Sequence, residues 1–329
     1  MVLSFIDFCS GIGAGRLGLE TLGLKCIAHS EINIDTDYTY KTFYNDDNNL
    51  GDLTKLNYDD IPDVDILIAG FPCQAFSIVG KRAGFEDERG QIIYYLSKIL
   101  KSKNIPYFIF ENVKGLVNHN NGKTLQYIID LLNNSGYKVF YKVLNSIDYG
   151  VPQLRERVYF VGIRKDIYTE PFIFPTITKQ TNIKDFLLVD NVVEQNIQHP
   201  TFQKYLNNKY NKDRFDINKI LQQDYTIIDT RQSDLRIYKN KCPTLRTGRH
   251  GILYVRNKKL YKLSGLEALL LQGFPVKYLT KAKDIPNNKL LSQAGNAMTV
   301  NVIKAIGETL IDYIERSNNE FSTKRLANG

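Results

Sequence analysis

The stretch VLSFIDFCSGIGAGRLGLETLGL, Val2 to Leu24, decides the fold. VLSFIDF reads as one buried strand, SGIGAG breaks it with glycines, and RLGLETLGL continues at helical spacing. A strand that passes through a glycine turn into a helix opens a nucleotide-type α/β sheet. Working outward, KCIAHSE (Lys25–Glu31), DVDILIAG (Asp63–Gly70) and YFIFEN (Tyr107–Asn112) read as further strands. GQIIYYLSKILKSK, from Gly90, is an amphipathic helix with apolar residues at Ile92, Ile93, Leu96, Ile99 and Leu100. TLQYIIDLLNNSG, from Thr124, is another helix, ending at an Asn/Gly stop. YKVFYKVLN (Tyr137–Asn145) and RVYFVGIR (Arg157–Arg164) alternate and read as a closing hairpin. Apolar strands alternating with helices predict an α/β fold with a doubly wound, mostly parallel sheet.

The pattern changes after PFIFP (Pro171–Pro175). To about Leu260 the chain is polar, irregular and rich in Asn and Lys. Helical periodicity returns in SGLEALLLQGFP (Ser264–Pro275) and VNVIKAIGETLIDYIE (Val300–Glu315). The expected division is a catalytic and cofactor domain over 1–178 plus 290–329, a smaller irregular domain over 179–260, and a connecting segment over 261–289. The last helix is expected to pack back on the first domain.

The chain has 329 residues, 43% hydrophobic and 24% charged, which is the balance of a soluble globular protein. No apolar run approaches a membrane span, and MVLSFIDFCSG has neither a basic stretch nor a cleavage signature. A cytoplasmic protein without membrane association is the expectation. A net charge of +8 favours a polyanionic partner. The cysteines Cys9, Cys26, Cys73 and Cys242 form no CxxC pair, and His29, His119, His199 and His250 are scattered. Neither a zinc site nor a disulfide framework is readable, and no metal is expected.

In the first strand–helix turn, glycines let a ligand approach the backbone, and the helix start offers free N–H groups. Glu31 follows the second strand, where an acid can hold ribose hydroxyls. Asp52, in GDLTKLN, can accept from an adenine amino group. An adenosine-containing cofactor is indicated, with NAD still open at this point. GFPCQAFS (Gly70–Ser77) lies just past the end of the third strand, and Pro72 restrains the backbone that displays Cys73. Glu111 and Asn112 end the next strand and so share that rim. A thiol with a carboxylic acid, and no well-placed histidine, suits attack on an electron-poor ring: the thiolate adds to carbon while the acid protonates a ring nitrogen. Cytosine is such a ring. A packed cysteine and a capping glutamate would explain either residue alone, but poorly explain both on one rim.

DFCSGIGAG, GFPCQAFS, FENVKG, QLRER, LEALLLQGFP and QAGNA follow one another in the order and spacing of the DNA cytosine-5 methyltransferases. The sequence resembles that family, in its small bacterial restriction-modification form, over nearly the whole chain. The resemblance implies a Rossmann-like S-adenosylmethionine-dependent fold with a target-recognition domain, the part from about Asn182 to Leu260 being variable. It implies methyl transfer to C5 of a cytosine flipped out of duplex DNA, through a covalent Cys73–C6 intermediate, by a monomer in a prokaryotic cytoplasm. S-adenosylhomocysteine would be the product.

By the same resemblance Cys73 is the nucleophile, Glu111 protonates N3, and Arg155 and Arg157 orient the base through O2. The cofactor falls to Ser10, Gly11, Gly13, Glu31, Ile32, Asp52, Leu53, Pro72, Asn296 and Ala297. The family often has phenylalanine where Cys9 stands; here the aromatic is Phe8, which strand alternation turns to the other face. The loop from Phe76 to Gln91 is expected to close over DNA, with Ser77 and Arg89 on phosphate or bracing the loop. Arg231, Arg236, Thr244, Arg246 and Arg249, in DTRQSDLRIYKNKCPTLRTGRHGILYV, are assigned to DNA. Two other readings stand beside this one. A branch of the family acts on tRNA, but its Cys-Phe-Thr signature is absent from the variable region; a DNA-binding module with a decayed site is opposed by the intact Cys73, Glu111, Arg155 and Arg157.

Overall fold

Strand β1 (Ser4–Phe8) pairs with a strand on each side, and Phe5, Ile6 and Phe8 are buried. In the computed structural model, which describes residues 2–72, 92–190, 192–248 and 250–327, it lies inside a six-stranded sheet. The others are β2 (Lys25–Ser30), β3 (Ile66–Gly70), β4 (Tyr107–Val113), β5 (Tyr137–Asn145) and β7 (Glu156–Arg164), in the order β2-β1-β3-β4-β7-β5. The first four are parallel, and β7 runs antiparallel to β4. Register aligns Phe8 with Ser30 and Ala69, and Gly70 with Glu111. The glycine turn, the end of β3 and Glu111 therefore share the carboxyl rim of the sheet, where open α/β sheets bind ligands.

Helices cover both faces. Helix α1 (Ala14–Glu20) packs against the final helix (Val300–Ala327), so closely that a Cβ on Gly18 would lie 2.7 Å from Ile303. The last helix thus lies against the helix that follows the glycine turn. Helix α2 (Ile34–Tyr44) follows β2. On the other face, helices α3 (Ile92–Ser102) and α4 (Lys123–Asn134) bury Ile93, Leu96, Ile99, Leu100, Leu125, Ile128 and Leu132 against Ile6, Phe8, Leu67, Phe108 and Phe110. Each such side chain contributes about 1.5–3 kcal/mol, so this layer holds the sheet flat against its helices. Gly162 on β7 makes room for Phe108: a Cβ there would stand 1.8 Å from the ring.

The chain divides into two compact units. The first holds residues 1–144, 156–177 and 298–329, and the second 145–155 and 178–297. The second, whose sequence reads as irregular, contains an antiparallel sheet of short strands. These are β8 (Val193–Glu194), β9 (Thr226–Asp229), β10 (Arg236–Lys239), β12 (Ile252–Arg256) and β13 (Lys259–Lys262), in the order β10-β9-β12-β13-β8. Alternation on β12 sends Ile252 and Tyr254 to one apolar cluster and Leu253 and Val255 to another, so both faces are covered. A second, two-stranded sheet pairs β6 (Gln153–Leu154) with β11 (Cys242–Pro243) in parallel. In SGLE, Ser264 and Glu267 form a reciprocal capping box at the head of the helix Gly265–Leu271.

Candidate active site and cofactor cradle

The glycine turn is built as its sequence suggests, with one non-glycine exception. Gly11 and Gly13 have φ of +56° and +78°, and Cys9 also adopts a positive φ of +49°. At Gly11 the conformation alone calls for glycine, because nothing lies within 4 Å of an added Cβ. At Gly13 space does too: a Cβ would lie 2.3 Å from the Tyr44 ring, whose hydroxyl donates to the Gly13 carbonyl at 2.6 Å. Arg16 lies over Tyr44, 4.4 Å from the ring centroid, and is itself paired with Glu20 and Asp46. Tyr44 and Arg16 thus brace the turn from behind. Both escaped the sequence reading, since a tyrosine on a polar helix carries no signal of its target.

Glu31 closes the cradle. One of its carboxylate oxygens accepts from Gly11 N–H at 3.0 Å and the other from Asn33 N–H at 2.8 Å, and each keeps capacity for a further donor. Burial raises its pKa, against the pull of these backbone hydrogen bonds. Asp52 is held differently: hydrogen bonds from the Thr54 hydroxyl and amide keep its carboxyl below the ordinary value. Leu53 is buried, Pro72 is exposed, and Ile32 stands 74% exposed beside Glu31. Phe8 is buried in the core beneath α3, so no aromatic from this turn is free to stack on an adenine; burial pushes the neighbouring Cys9 thiol up. Ser10 Oγ is buried with no hydrogen-bond partner among the described residues. An orphaned hydroxyl, open glycine backbone and a carboxylate with spare acceptors fit an adenosyl cofactor. Asn296 and Ala297 lie at the end of the helix Asn287–Asn296, in the second unit.

On the rim, Glu111 of β4 is paired with Arg157 of β7, Oε1 to Nε, at 3.0 Å, with side chains 9% and 13% exposed. Register sets this pair, because Arg157 lies opposite Val113 and so diagonal to Glu111. The adjacent Glu156 is engaged by Lys114 at 2.8 Å, which leaves Arg157 to Glu111. Gly70 gives the carboxyl its room: a Cβ there would lie 3.6 Å from Glu111 Oε2 and 3.1 Å from Met298. Asn112, noted in the sequence only as sharing this rim, donates to the Phe71 carbonyl at 2.8 Å and fixes the backbone entering Pro72. Cys73, Ser77 and Arg89 lie outside the described residues.

Arg155 behaves unlike Arg157. It is buried in the second unit, where Nη1 donates to the Leu245 carbonyl and Nη2 to those of Gly295 and Ala297. The arginines assigned to DNA also sort by partner. Arg231, with its side chain 3% exposed, makes a two-pronged pair with Asp229 and donates to the Thr244 carbonyl. The Thr244 hydroxyl donates to Leu154. Arg236 is exposed and paired with Asp234, whereas Arg246 is exposed beside Gly248, which has φ of +69°. Arg231, Arg246 and His250 line a cavity of about 400 Å³ within the second unit. Arg249 lies outside the described residues.

A doubly wound sheet with a glycine cradle at its first turn and a buried acid–arginine pair on the same rim belongs to the α/β class that binds ligands at the carboxyl edge of its sheet. The C-5 cytosine-specific DNA methylase family matches residues 3–312, and the chain belongs to that family: it is a DNA cytosine-5 methyltransferase. The type II methyltransferase M.HaeII of Haemophilus aegyptius is 36% identical over 311 residues, spanning 94% of this chain and 93% of its own. M.HhaI of Haemophilus parahaemolyticus is 34% identical over 318 residues, spanning 92% and 93%. Among solved structures, the Entamoeba histolytica methyltransferase EhMeth shares the fold with a TM-score of 0.71 at 19% identity, over 95% of this chain and 99% of that one. A Spodoptera frugiperda DNMT2 mutant does so with a TM-score of 0.70 at 20% identity, over 94% and 99%.

Proposed function

We propose that this enzyme methylates C5 of a specific cytosine extruded from duplex DNA, with Cys73 as nucleophile, and that it protects DNA from a partner restriction enzyme. The supporting observation is the Glu111–Arg157 pair on the rim, in register with the end of β3, three residues before Cys73. In the proposed sequence the Cys73 thiolate forms a bond to C6 while protonated Glu111 gives its proton to N3. The negative charge that would build on the ring is neutralised, and C5 becomes the nucleophile. Arg157, already beside Glu111, supplies donors for O2. After methylation, water takes up the C5 proton, the C6–sulfur bond breaks to restore the thiolate, and N3 returns its proton to Glu111. Bound S-adenosylmethionine supplies the electrophilic methyl group. Ser10, Gly11, Gly13, Glu31, Ile32, Asp52, Leu53 and Pro72 would hold it, together with Asn296 and Ala297.

The second unit is proposed as the target-recognition domain. Its buried Arg231 is suited to bracing Thr244, and its exposed Arg246 to meeting a guanine edge or a phosphate. Double-stranded DNA is the proposed partner, met by a monomer in a prokaryotic cytoplasm. The relatives' designation as type II methyltransferases supports the protective role. Bisulfite sequencing of DNA from cells expressing the protein tests the reading: one fully protected cytosine context is expected, and none in cells expressing Cys73→Ser. Unmodified DNA together with 5-methylcytosine in tRNA would overturn it in favour of a tRNA substrate.

A further inference from the structure

Asn49 lies in a polar loop, DDNNLGD, that no sequence signal marks. Residues 48–51 run alongside the end of β2. His29 N–H donates to Asn48 at 3.2 Å, Leu50 N–H to His29 at 2.8 Å, and the Ser30 hydroxyl to Gly51 at 2.6 Å. Within this pairing the Asn49 side chain clasps the backbone of Glu31 from both sides. Its Oδ1 accepts from Glu31 N–H at 3.1 Å, and its Nδ2 donates to the Glu31 carbonyl at 2.9 Å. The same Oδ1 also accepts from Gly51 N–H at 2.8 Å, one residue before Asp52.

One carboxamide therefore fixes the stations of both acids assigned to the adenosine. Glu31 is set by two hydrogen bonds to its own backbone, and Asp52 by one to its neighbour. The chemistry calls for asparagine. Aspartate lacks the donor, alanine and serine lack the reach, and glutamine adds a methylene that the spacing does not accommodate. Gly51, with φ of +74°, turns the chain so that its N–H meets the clasp.

We propose that Asn49 is a positioning residue for the cofactor: it places the Glu31 carboxylate to receive the ribose hydroxyls and sets its distance from Asp52. The proposal rests on the reading of Glu31 and Asp52 as adenosine ligands. A residue that only stabilised the fold would weaken every ligand of the site alike. One that aims Glu31 weakens only ligands that carry ribose hydroxyls.

The test is calorimetric titration of the full-length protein and its variants with S-adenosylhomocysteine and with its 2′,3′-dideoxy analogue. Asn49→Ala is expected to weaken S-adenosylhomocysteine about tenfold, as the loss of oriented hydrogen bonds implies. It should weaken the dideoxy analogue less than about twofold, since Glu31 then has nothing to receive. Equal loss for the two ligands, or no loss for either, overturns the proposal. If Asn49→Ala does not fold, Asn49→Asp decides by the same comparison: it keeps acceptors for Glu31 N–H and Gly51 N–H and sets a charged carboxylate oxygen against the Glu31 carbonyl where Nδ2 donated. Wild-type protein that binds neither ligand refutes the adenosine site itself, and that result is distinct from a wild type that binds and a variant that is unaffected.

Discussion

Replacing Glu111 by glutamine separates chemistry from folding at this site. Glutamine has the same shape and can keep an oxygen at the 3.0 Å contact that Glu111 Oε1 makes with Arg157 Nε. The substitution removes the carboxyl group that carries a negative charge when paired with Arg157 and a transferable proton when it acts as an acid. With side chains 9% and 13% exposed the pair is largely desolvated, so the lost charge assistance is expected to cost about 1–3 kcal/mol of stability. The chemical step loses more. General acid assistance supplies about 10²–10⁴-fold, which at 1.36 kcal/mol per decade is about 3–5 kcal/mol of transition-state stabilisation. Single-turnover transfer of a labelled methyl group to duplex DNA, at saturating cofactor and DNA, reads the loss in the chemical step. Urea unfolding reads the loss of stability. A fall of at least a hundredfold in rate, in a protein still folded under assay conditions, is expected. A Glu111→Gln enzyme within about tenfold of wild type would refute Glu111 as the proton donor.

Cys73→Ser should abolish methyl transfer while S-adenosylhomocysteine binding persists, and wild type should form a covalent complex with DNA containing 5-fluorocytosine, visible as a retarded band in denaturing gels. Gly13→Ala should lower the unfolding midpoint more than Gly11→Ala. Both incur about 1–2 kcal/mol for a left-handed alanine, but only Gly13 has the Tyr44 ring 2.3 Å from the new Cβ; equal shifts would disprove the crowding argument. Acid sensitivity of the second unit should depend on Asp229: burial raises its pKa, but hydrogen bonds and charge from Arg231 outweigh that and hold it below the ordinary value. A depressed carboxyl gives stability that is present above its unfolded pKa, about 3.9, and is lost as pH falls through the folded value. Asp229→Asn should therefore flatten the loss of urea stability below about pH 4.

The sequence by itself determined the cradle and the rim. Periodicity marks β1 to β4 as buried strands, and the glycines of SGIGAG mark the turn, because backbone conformation and alternation are local properties. The positions of Glu31, Gly70 and Glu111 then follow from where those strands end. The antiparallel sheet of the second unit was not legible: its strands are two to five residues long, too short for alternation to stand out from a polar background. Only tertiary structure decided the fate of each charge. Arg155 and Arg157 are two residues apart, yet one is buried on three carbonyls and the other faces Glu111, because β6 ends at Leu154 and β7 begins at Glu156. Arg231 is turned inward by Asp229, and Asn49 reaches back to Glu31, eighteen residues earlier. Such partners are set by register and chain crossing, which depend on contacts remote in sequence. A residue type announces which hydrogen bonds it can make; the fold chooses the one it does make.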